Sequence, residues 1–189
     1  MATSSNRRNV CTNFITSLLS VFLVIMKKGL LFLTCCWLSI TAFSQTLFPD
    51  QCIGQWSGMM RIWQRGELKD SVKVAFTVAR LTDSSWQWRM DYLSPARPMT
   101  KDYVLRKKSA TRFVTDEGDG IQLDEFVFGN KMCCLFKVGG STLTAGYELL
   151  GNGQLLFEVT SAGAPTPTGS GVENFPVTSV QKVLLRRVR

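Results

Sequence analysis

The chain has 189 residues, with 22 Lys and Arg against 14 Asp and Glu, and it contains no histidine. That absence excludes a histidine-ligated haem, the usual zinc sites and any Ser-His-Asp or Cys-His catalytic pair, because each needs an imidazole for its metal or proton role. The net charge of +8 is unevenly placed, since the first 44 residues carry four basic side chains and no acidic one.

Those four are Arg7, Arg8, Lys27 and Lys28, and two apolar runs, Phe14–Ile25 and Gly29–Phe43, flank the lysine pair. From Met26 onward the order is a basic start, an apolar centre and the small-residue ending Ala42-Phe43-Ser44 before Gln45. This is the layout of a secretory signal peptide. Residues 1–44 are therefore expected to be a targeting segment, with Met26 as the effective start, cleavage near Ser44 and Gln45, and export to the periplasm or the extracellular space. The alternative is a retained membrane anchor. Each apolar run is shorter than the ~20 residues that cross a bilayer, and joining them would place Lys27 and Lys28 at mid-membrane. Cys35 follows Thr34, which does not suit a lipoprotein site.

Removing the leader leaves 18 basic against 14 acidic residues in a single domain over residues 45–189. Basic residues cluster only at Arg106-Lys107-Lys108 and at Arg186, Arg187 and Arg189, with no nucleic-acid motif, so they are expected at solvated hairpin ends. No membrane span is expected in the mature chain. Its three cysteines are Cys52, Cys133 and Cys134. Cys133 and Cys134 are neighbours on an expected strand and point to opposite faces, so only one can meet a given partner. A single disulfide from Cys52 to one of them, and three reduced thiols behaving as small apolar side chains, are both open readings.

The mature chain then reads as strands and tight turns. Gly54-Gln55-Trp56-Ser57-Gly58 opens a first strand over Gln55–Gln64, where glycine permits a sharp bend and close backbone approach. Ser71–Leu81 alternates with period two, placing Val72, Val74, Phe76 and Val78 on one face and Lys73, Ala75 and Thr77 on the other. Trp86, Trp88, Met90 and Tyr92 alternate with Gln87, Arg89 and Asp91 on the third strand. Ser94–Pro98 breaks the ladder. Short strands follow over Asp102–Lys107 and Arg112–Thr115, and Ile121–Phe128 and Lys131–Val138 are joined by Gly129-Asn130, suited to a two-residue hairpin turn. Thr142–Leu150, Gln154–Thr160 and Val177–Val188 complete about ten strands, with Ser161–Pro176 as one long irregular stretch. No segment shows a helical period. A meander of this size is expected to close into an up-and-down antiparallel barrel, because closure removes exposed sheet edges.

Gly54-x-Trp56, the strand series and the arginine-rich last strand resemble the calycin group of lipocalin-like and fatty-acid-binding-like barrels. The resemblance implies that an arginine of the last strand, Arg186 or Arg187, packs across Trp56 and closes one end. It also implies a lumen that holds a small apolar or amphipathic ligand, with Ser161–Pro176 as a mouth loop. Phe76, Trp86, Trp88, Met90, Tyr92 and Tyr147 form the expected ligand wall, since wide rings and a soft thioether suit an apolar guest. Arg80 shares the face of Val78 and is the expected partner of a ligand carboxylate. Nitrobindin-like members of the group bind haem through a histidine, which this chain lacks.

The run Asp116-Glu117-Gly118-Asp119-Gly120 fails as a calcium loop, because its third and fifth positions are glycines. Asp124 and Glu125 point to opposite sides of a strand and are poor partners for one active site. No cofactor and no metal are therefore expected. The reading is a non-catalytic ligand-binding barrel; its alternative is a barrel filled by its own side chains that serves as an interaction module at the cell envelope.

Overall fold

The computed structural model describes residues 46–188, so the expected targeting segment lies outside the described residues. Thr46–Arg189 forms one compact unit. It begins with a five-residue helix, α1 (Phe48–Cys52), and continues as β1 (Gly54–Gln64), β2 (Glu67–Thr82), β3 (Ser85–Tyr92), β4 (Met99–Lys107), β5 (Arg112–Gly118), β6 (Ile121–Phe128), β7 (Lys131–Val138), β8 (Ser141–Leu149) and β9 (Leu155–Ala162). A two-residue ribbon, β10 (Thr166–Pro167) with β11 (Glu173–Asn174), interrupts the expected loop before β12 (Val177–Arg187).

Ten of these strands close an antiparallel barrel in the order β1-β12-β9-β8-β7-β6-β5-β4-β3-β2. Neighbours in sequence are neighbours in space except at the closure, where β1 pairs with both β2 and β12. No described helix is long and apolar enough to cross a membrane. β2 starts four residues earlier than its apolar pattern does, because Glu67–Asp70, polar except for Leu68, pairs with the end of β1. Sheet pairing, rather than side-chain alternation, sets that boundary.

Alternation holds inside the barrel. Val72, Val74, Phe76 and Val78 of β2, and Trp86, Trp88 and Met90 of β3, are all buried. The cross-strand register carries this face around the wall: Trp88 opposite Tyr103, Phe113 opposite Glu125, Tyr147 opposite Phe157, and Leu155 opposite Leu185.

The helix was not legible from periodicity because one turn is too short to show it. Pro49 occupies its first turn, where proline loses no intrahelical bond. Its buried Phe48, Pro49 and Cys52 cap the barrel end at which β1 begins.

Two glycines of β1 are required by contact. Gly54 has φ +132°, and a Cβ there would lie 2.8 Å from Arg187 Nη1. At Gly58 a Cβ would meet the Leu184 carbonyl oxygen at 2.6 Å and Val183 Cγ2 at 2.7 Å. Backbone oxygen cannot swing away as a side chain can, so Gly58→Ala is expected to destabilise the protein by about 1–3 kcal/mol. Urea denaturation checks this: the midpoint falls while the slope stays unchanged. An unmoved midpoint would mean that β1 and β12 separate at little cost.

Candidate functional site at the open half of the lumen

The two ends of the barrel differ. At the capped end Trp56 donates from Nε1 to the Cys52 carbonyl at 2.8 Å, and the Arg187 guanidinium lies 4.2 Å from the centre of the Trp56 ring. Arg187 also donates to the carbonyls of Ile53 at 2.5 Å and Gln51 at 2.7 Å. Arg187 therefore takes the closing role. Arg186 lies opposite Ser57 on the exposed side of the wall.

A second knot binds α1 to the wall. Asp50 Oδ1 accepts from Trp86 Nε1 at 2.8 Å and is ion-paired with Arg80, whose guanidinium sits 5.4 Å from the Trp86 ring centre. Arg80 is consequently not the lumen cation expected for a ligand carboxylate. It lies at the rim of the capped end, and its carboxylate belongs to the protein.

Above this floor the lumen is packed. Trp86 meets Phe113 edge-on with centroids 5.8 Å apart, and Phe76 is fully buried. Tyr147 stacks between Phe76 at 5.2 Å and Phe157 at 4.5 Å and receives the edge of Trp88 at 5.0 Å. Of the expected ligand wall, Phe76 and Trp86 thus fill the core. Trp88, Met90, Tyr92 and Tyr147 border a cavity of about 150 Å³ in the other half of the barrel.

The rest of that cavity is more polar than alternation on β3 suggests. Lys101, Tyr103, Thr115, Glu117 and Glu125 line it with Phe136 and Cys134. Glu125 is only 5% exposed, and Thr115 Oγ1 donates to its Oε1 at 3.1 Å. Its other oxygen, Oε2, and Nε1 of Trp88, a residue 2% exposed, make no hydrogen bond of good geometry among the described residues, although the Cys134 thiol lies beside Glu125 and the Tyr147 hydroxyl beside Trp88. The two residues that carry these atoms therefore line one small cavity, where each unmade bond costs about 1–3 kcal/mol.

Burial raises the Glu125 pKa to about 7; the Thr115 bond and the neighbouring Cys134 thiol oppose the rise and nearby Glu117 adds to it. A carboxyl poised there can hold or release a proton near neutrality and can accept a ligand N–H or O–H. Burial, reinforced by Glu125, pushes the Cys134 thiol up to about 12, so it remains protonated beside that carboxyl. Burial likewise holds Cys52 at about 12 despite Arg187. Both are poor nucleophiles in these states. Burial raises the Tyr92, Tyr103 and Tyr147 hydroxyls as well, leaving them as neutral donors.

All three described cysteines are free thiols, so the disulfide from Cys52 to Cys133 or Cys134 is not formed. Cys52 belongs to α1 at the capped end, while Cys134 borders the cavity in the other half. The described residues contain no cluster of three potential metal-ligating side chains.

Sequence reasoning set Glu125 aside when it separated Glu125 from Asp124. The separation itself holds, since Asp124 points outward and accepts from Arg112 Nε at 3.0 Å. The missed signal was that Glu125 shares its face with Leu123 and Val127, an acid in an apolar row.

The architecture matches solved structures. The S-type phycobiliprotein lyase CpeS from Guillardia theta superposes with a TM-score of 0.56 at 8% identity, covering 75% of this chain and 91% of that one. Rv2717c from M. tuberculosis superposes with a TM-score of 0.50 at 13% identity, covering 74% and 94%. Both neighbours are calycin-like β-barrels. The shared property is the fold. No family model and no curated protein matches the chain.

The lyase corrects one expectation. Lack of a nucleophile–base pair implies a non-catalytic chain, but a barrel of this architecture is described as a lyase, so that lack does not exclude an enzyme.

Proposed function

We propose that this chain is an exported calycin-like barrel that binds a small amphipathic molecule in the open half of its lumen. The polar end of the guest meets Glu125 Oε2 and Trp88 Nε1, and its apolar part lies against Met90, Tyr92, Phe136 and Tyr147. The observation that carries this reading is that Glu125 and Trp88, each with a buried polar atom lacking a hydrogen bond of good geometry, line one cavity of about 150 Å³. A guest with one donor and one acceptor, such as an amide, satisfies both. The arrangement of residues 1–44 supports export, and the calycin-like fold supports a lumenal guest at the level of architecture.

Native mass spectrometry of the protein, purified without detergent and incubated with small aliphatic amides, tests it. The expected result is a bound mass that leaves on denaturation. Leu123 borders the cavity and is only half-buried, so Leu123→Trp can fill the space without disturbing the packed end. This variant is expected to fold and to lose at least tenfold in guest affinity. A wild-type protein that stays at its bare mass overturns the reading and favours the interaction module.

A further inference from the structure

The barrel wall is incomplete between β6 and β7. Their hairpin pairs at three positions, Phe126 with Cys133, Val127 with Met132 and Phe128 with Lys131. Beyond them Ile121–Glu125 pairs only with β5, and Cys134–Val138 only with β8. By contrast, β7 and β8 stay paired from Lys131 to Val138. The wall therefore parts from Glu125 and Cys134 onward, away from the hairpin turn, leaving two strand edges that face one another without sheet hydrogen bonds.

Outside this seam lies a groove of about 520 Å³ over β6 to β9. Cys134 and Ala145 border both the groove and the inner cavity, so a single layer of wall separates the two spaces beside the seam. The groove carries Phe126, Phe128, Leu135 and Leu156, and Phe128 and Leu135 are 67% and 68% exposed. Large apolar side chains so exposed on one patch of a water-facing wall mark a binding surface.

The volumes limit the guest. A cavity of about 150 Å³ holds about five water-sized groups, well below the ~300 Å³ lower bound for ordinary ligand sites. The inner space fits a head group and little more, whereas the groove supplies apolar area for a chain.

We infer that the guest is a long-chain amphipath whose hydrogen-bonding head sits inside against Glu125 and Trp88, while its alkyl tail leaves through the β6–β7 seam and lies in the outer groove. This rests on the lumenal reading proposed above and adds the ligand class and the route. The tail gains contact with Phe126, Phe128 and Leu135, and the seam needs no lid, because no main-chain hydrogen bonds hold it closed.

Equilibrium dialysis of butanamide, octanamide and dodecanamide against the protein and against Leu135→Asp tests the inference. Leu135 is exposed, so the substitution leaves the core intact; Phe128→Asp is a second variant on the other side of the groove. In the wild type, affinity is expected to rise with chain length, up to roughly fourfold per methylene. In either variant butanamide should bind as before, while the gain from octanamide to dodecanamide is lost. Long amides that bind no tighter than butanamide overturn the inference, and so does a length gain that survives both substitutions, which would place the tail at the barrel mouth. Failure of butanamide itself to bind the wild type overturns the lumenal reading instead.

Discussion

Truncating Trp56 to alanine lowers the unfolding free energy by about 3–5 kcal/mol, as expected for removing a large buried aromatic side chain. Trp56 is 1% exposed and joins three parts of the capped end at once. It donates to Cys52 of α1, underlies the Arg187 guanidinium of β12, and lies opposite Phe76 of β2. Its loss leaves a cavity, an unpaired carbonyl and a cation without its ring. Such a loss is a large share of the ~5–15 kcal/mol that holds a typical domain together. Urea denaturation measures it. Arg187→Met keeps most of the stem packing but loses the cation–π stacking, about 0.5–2 kcal/mol, together with the bonds to the Ile53 and Gln51 carbonyls. A loss below about 1 kcal/mol for Trp56→Ala would show that α1, rather than the ring, closes this end.

The second large effect is on pH dependence. Glu125 titrates at about 7 in the folded barrel against an ordinary 4.5, so the folded state binds the extra proton between those values. Stability is then greatest below about 4.5 and is lost as pH rises through about 7, by about 3 kcal/mol in total. The groups facing Glu125 are Thr115, Cys134 and Glu117, and of these Glu117 adds a like charge that works in the same direction. Asp91, held down by bonds from Arg89 and Thr100, and Asp116, held down by Gly118 and Arg106, act oppositely. Their stabilisation is present above the ordinary carboxylate range and is lost only in stronger acid. Thermal melts from pH 5 to pH 8 should therefore show a falling Tm, and Glu125→Gln should flatten it and melt higher than wild type at pH 8. A wild-type Tm independent of pH over that range would place the Glu125 carboxyl in contact with solvent.

Several properties of this protein follow from local sequence. Period-two alternation over Val72–Val78 and Trp86–Tyr92 assigns the inward face. Glycine-containing turns such as Gly129-Asn130 make successive strands antiparallel, and a meander of ten strands closes on itself. The glycines around Trp56 mark one closed end, because only a residue without Cβ fits beneath Arg187 and beside Leu184.

Position along the barrel axis is a different matter. Alternation says which face a side chain takes and nothing about its height, because height depends on strand tilt and on the stagger accumulated around the closed sheet. Trp86 and Trp88 are two residues apart on one face, yet the first fills the floor against Asp50 and Phe113 while the second borders the cavity. The choice between Arg186 and Arg187 was likewise settled by the register that sets Arg187 opposite Trp56. The parting of β6 from β7 is also visible only in the tertiary structure: Gly129-Asn130 starts the hairpin, but beyond three pairs each strand pairs with its other neighbour alone, β5 or β8. That parting, with the register that sets Glu125 opposite buried Phe113, turns an acid in an apolar row into the centre of a site.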